Sequence, residues 1–458
     1  MTAEPDALRP RLRSLLSSAA LARAFTLTVF ATVFGGFALT AVAGAVTLAT
    51  VLAGLCILGA AILFARRDEI ELVRLAPTTL VLLVAWAAAS VFWSAAPTAA
   101  LAGWMQLAGI ALLAVVIGHV RDALQTVRAL GDVLRWLLGI SLGLEVLSGI
   151  LLDLPIPFLG IQGAIADLGP IQGLFGTRNA LGFVTVIALI TFLVEFRTQS
   201  VGVGVAIGSV VLGGVLAALS GSPTVIVVAL VTAVATLALW GVRRVPTDRR
   251  RGVQVGLGIG VAVVVAVAYA ARASLVTAFG AQDDLETRTR VWTRVLDIAD
   301  IRPVQGFGWF GAWDPDAVPF ALVTLADGAR HASALNAYLD VLLQLGWVGL
   351  LLFLALGGLG LARGWLVAGE RRAVVHAWAP LILVALLTVS LFESFTLTGP
   401  GWLLLALCAV RAGQSRSWRE RLEQRMTDAA RPATDGRPGP DGGRGHAPDA
   451  QGGAGDAG

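Results

Sequence analysis

Apolar residues run through this chain in blocks of about the length that crosses a bilayer, broken by short polar segments. The first block, Ala24 to Phe64, holds 41 residues without a charge. One helix needs about 20 residues to cross, so this block predicts a hairpin of two spans turning near Ala43–Gly44. It follows an arginine-bearing start (Arg9, Arg11, Arg13, Arg23) and is too long for a signal-peptide core, which predicts a retained anchor. Further spans are predicted near 76–93, 99–118, 133–152, 179–196, 201–219, 224–240, 253–271, 337–361, 377–392 and 400–411. The predicted fold is an all-α integral membrane protein of about twelve transmembrane helices. Residues 1–23 form an N-terminal segment, 24–271 hold spans one to nine, and 337–411 hold spans ten to twelve. Between them, 272–336 make one large extracytoplasmic loop. The Pro/Gly-rich tail, 412–458, has nothing apolar to bury and is predicted to be disordered after a charged patch from Ser415 to Met426.

Composition agrees with the pattern. Of 458 residues, 57% are hydrophobic and 14% charged, with a mean hydropathy of +0.80. Soluble domains carry about 25% charged and about 45–50% apolar residues, so the apolar excess here has to face lipid. All 34 basic residues are arginine. Without lysine no Walker-type phosphate loop exists, which excludes that class of ATP-driven motor. Two cysteines, Cys56 and Cys408, lie far apart in apolar runs, and four histidines show no metal-ligand spacing. No metal, no cofactor and no nucleic-acid partner is expected.

The arginines orient the chain. With the N-terminus in the cytoplasm, 27 of 34 fall on the cytoplasmic side and seven outside, six of those in the large loop. This obeys the positive-inside rule and predicts a multi-pass protein of the cytoplasmic membrane with both termini inside. The outside seven are Arg178, Arg272, Arg288, Arg290, Arg294, Arg302 and Arg330. Guanidinium grips phosphate oxygens through a fixed fork of donors, so an anionic headgroup is one reason to keep them there. Pairing with loop carboxylates such as Asp283, Asp284, Asp297, Asp316 and Asp327 is the other. Arg178, alone in its loop at the mouth of a span, fits the first reason better.

Inside the loop, Leu285 to Ile301 reads as an interfacial helix with an apolar stripe of Trp292, Val295, Leu296, Ile298 and Ala299. Arg288 shares the Trp292 side, whereas Arg290, Arg294 and Asp297 fall on another face. The string Gly306-Phe307-Gly308-Trp309-Phe310-Gly311 is expected to turn with its rings at the lipid–water boundary. Three carboxylates belong to spans: Glu145, for which a helix–helix hydrogen bond is one reading, Glu195 near the cytoplasmic interface, and Glu393 facing the loop.

Three stretches resemble the O-antigen ligase and polysaccharide polymerase superfamily of bacterial membrane glycosyltransferases. They are Gly173-Leu174-Phe175-Gly176-Thr177-Arg178-Asn179-Ala180-Leu181-Gly182; Arg288-Thr289-Arg290-Val291-Trp292 with Arg302-Pro303-Val304-Gln305-Gly306-Phe307-Gly308-Trp309; and Asn336-Ala337-Tyr338-Leu339-Asp340 running to Gly346 and Gly349. Their order, their outside placement and the long loop carry the likeness. In the ligases a histidine stands before the position matching Asn336; here that residue is Leu335, and His331 lies one turn earlier. The polymerase branch, whose catalytic residues vary, is therefore favoured over the ligase branch.

The resemblance implies a donor oligosaccharide on a polyprenyl diphosphate and a glycan or lipid acceptor, joined at the outer membrane face without a metal. Arg288, with Arg178 and Arg290, would neutralise the departing diphosphate. His331 or Asp327 would act as base, and Asn179, Arg302, Asn336 and Glu393 would bind substrate. A transporter or flippase for the same lipid-linked sugar is the alternative; it calls for polar residues deep along a central path, which this chain largely lacks.

Overall fold

The fold comes from a computed structural model, which describes residues 13–68, 75–270, 282–327 and 330–414. Among these residues the architecture is all-α, with a single isolated bridge between Ile156 and Ile161. The predicted charged patch and disordered tail, like Arg272, lie outside the described residues.

Every predicted apolar block falls on a helix. In chain order these are α1 (Ala19–Phe34), α2 (Gly36–Ala43), α3 (Ala45–Ala65), α4 (Thr78–Ala89), α5 (Pro97–Val120), α6 (Ala123–Val146), α7 (Arg178–Thr198), α8 (Val203–Leu219), α9 (Pro223–Arg244) and α10 (Thr247–Ala270). After the loop helices α11 (Gln282–Ala299) and α12 (Phe320–Asp327) come α13 (Ala337–Glu370), α14 (Trp378–Val389) and α15 (Gly399–Gln414). The hairpin turns at Gly44, whose φ of +86° suits glycine, and the first span is bent by 73° between α1 and α2. Among the described residues, six helices are long and apolar enough to cross a membrane, or seven with the bent pair. Segments 78–93, 203–219 and 374–389 are shorter apolar helices. Twelve full-length spans therefore do not emerge from length and hydropathy alone.

Helix starts follow local chemistry. Thr177 caps α7 by accepting the Ala180 amide (3.1 Å), and Asn336 caps α13 by accepting those of Tyr338 and Leu339. Proline opens α5 and α9, where its missing N–H costs nothing. The last span is enclosed: from Gly401 to Val410 every residue of α15 is buried, against α5, α13 and α14. A helix apolar all round belongs in the interior. By contrast, α8 and α9 present Val205, Val211, Ile226, Leu230, Val234 and Leu237 outward. In water such a belt would aggregate; in a bilayer it is the lipid-facing surface. The chain is a multi-pass membrane protein.

The 272–336 segment departs most from expectation. Its amphipathic helix, α11, exists and packs on α12 and α13. Val291, Val295, Ile298 and Ala299 form the buried stripe, Trp292 is half-buried, and Leu296 is exposed, which corrects its place in the predicted stripe. The glycine–aromatic string does not lie at a lipid boundary: Phe307, Trp309 and Phe310 are buried. The string is threaded into a break in α13 at Gly346 (φ +65°, ψ −167°). There the amides of Phe307 and Gly308 donate to the Leu343 and Gln344 carbonyls, the Trp347 amide donates to the Pro303 carbonyl, and Gln344 Oε1 accepts from Phe310 and Gly311. The unpaired peptide groups of the broken helix and of the string satisfy one another, which lets non-helical backbone sit inside the bundle.

Candidate functional site

The ends of α7, α9, α13 and α14 meet around one buried ion pair. Arg288, on the inner face of α11, is 7% exposed and donates through Nη2 to Glu393 Oε1 (3.3 Å) and through Nη1 to the carbonyls of Phe392 and, at 3.5 Å, Leu335. Glu393, 5% exposed and just beyond α14, also accepts the Asn179 side-chain amide (2.7 Å), and the Ser222 hydroxyl donates to Asn179 Oδ1 (2.6 Å). Asn336 donates to the Leu391 carbonyl (3.2 Å) while it caps α13. One residue from each of the three motifs, Asn179, Arg288 and Asn336, is thereby fastened to residues 391–393.

A second buried carboxylate braces this cradle. Asp340 accepts from Trp313 Nε1, Gln344 Nε2 (3.0 Å), the Ala334 amide (3.3 Å) and Ser394 Oγ (2.7 Å). Ala334 and Ser394 adjoin Leu335 and Glu393, two of the groups that hold Arg288. Asp340 belongs to the third motif but not to the predicted site residues; a carboxylate within an otherwise apolar helix is the signal that points to it.

Arg178 occupies the first turn of α7 with an exposed side chain and no partner among the described residues. It lines a chamber of about 270 Å³ whose other long polar side chains are Glu145, Gln162 and Gln172. On the other flank of the same turn an apolar cleft of about 130 Å³ is lined by Phe34, Phe37, Phe175, Ala180, Phe183 and Phe395. The turn between them is tied to α6: Glu145 Oε1 accepts the amides of Gln172 (3.1 Å) and Gly173 (2.9 Å), and Ser141 accepts that of Leu174. Glu145 thus holds a loop rather than a neighbouring helix.

The remaining predicted residues scatter. Arg302 donates to the Trp93 carbonyl (3.1 Å) and lies over the Phe307 ring, so it secures the threaded string instead of joining Arg288. Arg290 is exposed on the outer face of α11. Arg294 pairs with Asp297 (3.7 Å) and Arg330 with Asp316 (3.0 Å), both at the exposed surface where such pairs contribute little. His331 is half-buried in the loop before α13; the helix does not extend back through it, since Leu335 (φ +52°) and the Asn336 cap stop it there. Asp327 ends α12, and its side chain lies outside the described residues. Glu195, in the last turn of α7, is fully buried and salt-bridged to Arg135.

Residues 208–354 match the family model described as O-antigen ligase. The segment is an O-antigen ligase family domain. It covers roughly a third of the chain, takes in Arg288, His331, Asn336 and the Gly346 break, and ends before Glu393. No curated protein matches the chain. The match implies an enzyme of glycosyltransferase type in a membrane, and the matched segment contributes Arg288, which reaches Glu393 beyond its end.

Proposed function

We propose that this protein is an envelope polysaccharide glycosyltransferase that polymerises glycan from a polyprenyl-diphosphate-linked oligosaccharide at the extracytoplasmic face of the cytoplasmic membrane. One observation carries this reading: a motif arginine exposed beside both a chamber with polar side chains and an apolar cleft, close in sequence to the Asn179 that joins the Arg288–Glu393 pair. An amphipathic donor needs those three environments for its sugar, its diphosphate and its tail. The family supplies the reaction class, and the arginine asymmetry supports twelve crossings with the site outside and both termini inside.

In this reaction the acceptor hydroxyl oxygen attacks the anomeric carbon, and the carbon–oxygen bond to the diphosphate breaks. The leaving polyprenyl diphosphate takes the bonding pair and the acceptor proton passes to a base. Arg178 and Arg288 stabilise the charge that grows on the leaving group, and stabilisation of that kind is usually what lowers such a barrier most. Glu393 accepts from Asn179 and Arg288, and its part is to orient Arg288. The proton then goes to His331, the imidazole of the loop that precedes α13. Leu335, where ligases have histidine, favours the polymerase over the ligase.

The deciding experiment is deletion of the gene followed by sizing of the sugars on polyprenyl lipid. Accumulation of single repeat units with loss of extracellular polymer is expected. Long chains stranded on lipid would instead make the protein a ligase, and unchanged lipid-linked sugar would remove the proposal.

A further inference from the structure

The chamber beside Arg178 has a feature that loop anchoring leaves unused. Glu145 is 1% exposed, and its Oε1 is saturated by two backbone amides. Its other oxygen, Oε2, accepts no hydrogen bond among the described residues, and Glu145 lines the chamber. An oxygen of a buried residue that opens onto the chamber is left for water or a ligand to satisfy. Around it stand Gln162, whose amide reaches only the nearby Gly160 carbonyl, and Gln172, whose Nε2 is spent on Leu159 while its side-chain oxygen remains to accept. Arg178 closes the polar lining.

These groups select by charge and by hydrogen bonding. An acceptor-rich floor suits a ligand that donates several O–H bonds and repels an anion, whereas Arg178 attracts phosphate. At about 270 Å³ the chamber falls just below the roughly 300–1,000 Å³ of a drug-sized site, the scale of one sugar ring rather than a chain. The apolar cleft begins on the far side of the same turn, because Phe175 and Ala180 face it while Gly176, Thr177 and Arg178 face the chamber.

We propose that this chamber is the subsite for the sugar attached directly to the lipid diphosphate, with Glu145 Oε2 reading its hydroxyls, Arg178 holding the adjoining phosphate and the prenyl chain leaving through the cleft. The inference rests on the proposed lipid-linked donor and adds what the enzyme recognises in it. A neutral, hydroxyl-rich sugar is selected at that position, and an acidic one is refused.

The test uses the full-length protein in lipid nanodiscs with two probes, bare undecaprenyl diphosphate and the lipid-linked oligosaccharide extracted from cells lacking the gene. The wild type is expected to bind the glycosylated lipid at least tenfold more tightly. Glu145→Gln keeps an oxygen for the Gln172 and Gly173 amides but turns a donor toward the chamber; it should erase that preference and leave the bare lipid's affinity unchanged. Ala164→Leu, which fills the chamber from its rim, should do the same without touching the buried anchor. A preference that survives both variants, a wild type without preference, or equal weakening of both probes would overturn the subsite and leave the donor class standing. If no lipid-linked sugar accumulates, or the wild type binds neither probe, the parent reading falls and this one with it.

Discussion

In the proposed reaction Arg178 and Arg288 carry the same charge, yet their surroundings predict different losses. Arg178 is exposed and unpartnered among the described residues, so Arg178→Ala should abolish transfer while membrane insertion and thermal stability stay at wild-type levels. Arg288 is buried against Glu393, and removing one member of such a pair costs about 3–5 kcal/mol. Arg288→Ala should therefore lower the unfolding temperature in detergent as well as activity. Arg288→Lys, which keeps the charge but loses the fork, should fold better and still transfer poorly. For His331→Ala a fall of about 10²–10⁴ in rate is expected, read against an unchanged melting curve; a full rate would move the base elsewhere. The arginines were legible because positive charge on the side predicted to face outward demands a reason. Their partners were not: Asn179 and Glu393 are 214 residues apart, and nothing in either neighbourhood names the other.

At the scale of elements, the break in α13 is the feature on which the site depends. A β-carbon at Gly346 would lie 2.3 Å from the Val304 carbonyl oxygen, and one at Gly306 would lie 2.4 Å from that of Gln344. Gly346→Ala should eject the threaded string and abolish activity, with reduced folded yield by size-exclusion chromatography. Gly358→Ala, on the same helix with nothing within 4 Å of the added carbon, should be silent or mildly stabilising, because alanine favours helix. The helices were readable from apolar block length, and α11 from its period. The threading was not, since glycines and aromatic rings have one composition whether they meet lipid or a broken helix. Gly346 sits in a motif, but the positive φ that makes it indispensable is a property of the fold. Leu296 went astray for a related reason: periodicity defines a face to within about one residue, and packing against α12 and α13 chose Val291 instead.

For the molecule as a whole, the apolar belt on α8 and α9 and the buried α15 define a membrane body, and the arginine pattern predicts which end faces which compartment. In a background with Cys56 and Cys408 replaced by alanine, Gln162→Cys should react with a membrane-impermeant maleimide in intact cells, and Ser200→Cys only after permeabilisation. The reverse pattern would invert the topology. Composition made the membrane environment plain, whereas span number stayed less determinate because half-length helices and a bent pair share the same hydropathy as full crossings. The threaded string also dictates an order of assembly. Residues 302–311 leave the ribosome before the helix that will receive them, and the clasp at Phe392–Ser394 comes later still. Until Phe392 and Glu393 have been made, Arg288 lacks its carboxylate and one of its two carbonyls. A partly synthesised copy consequently lacks the clasp that fixes Arg288, and the site closes only when the last helices are in place.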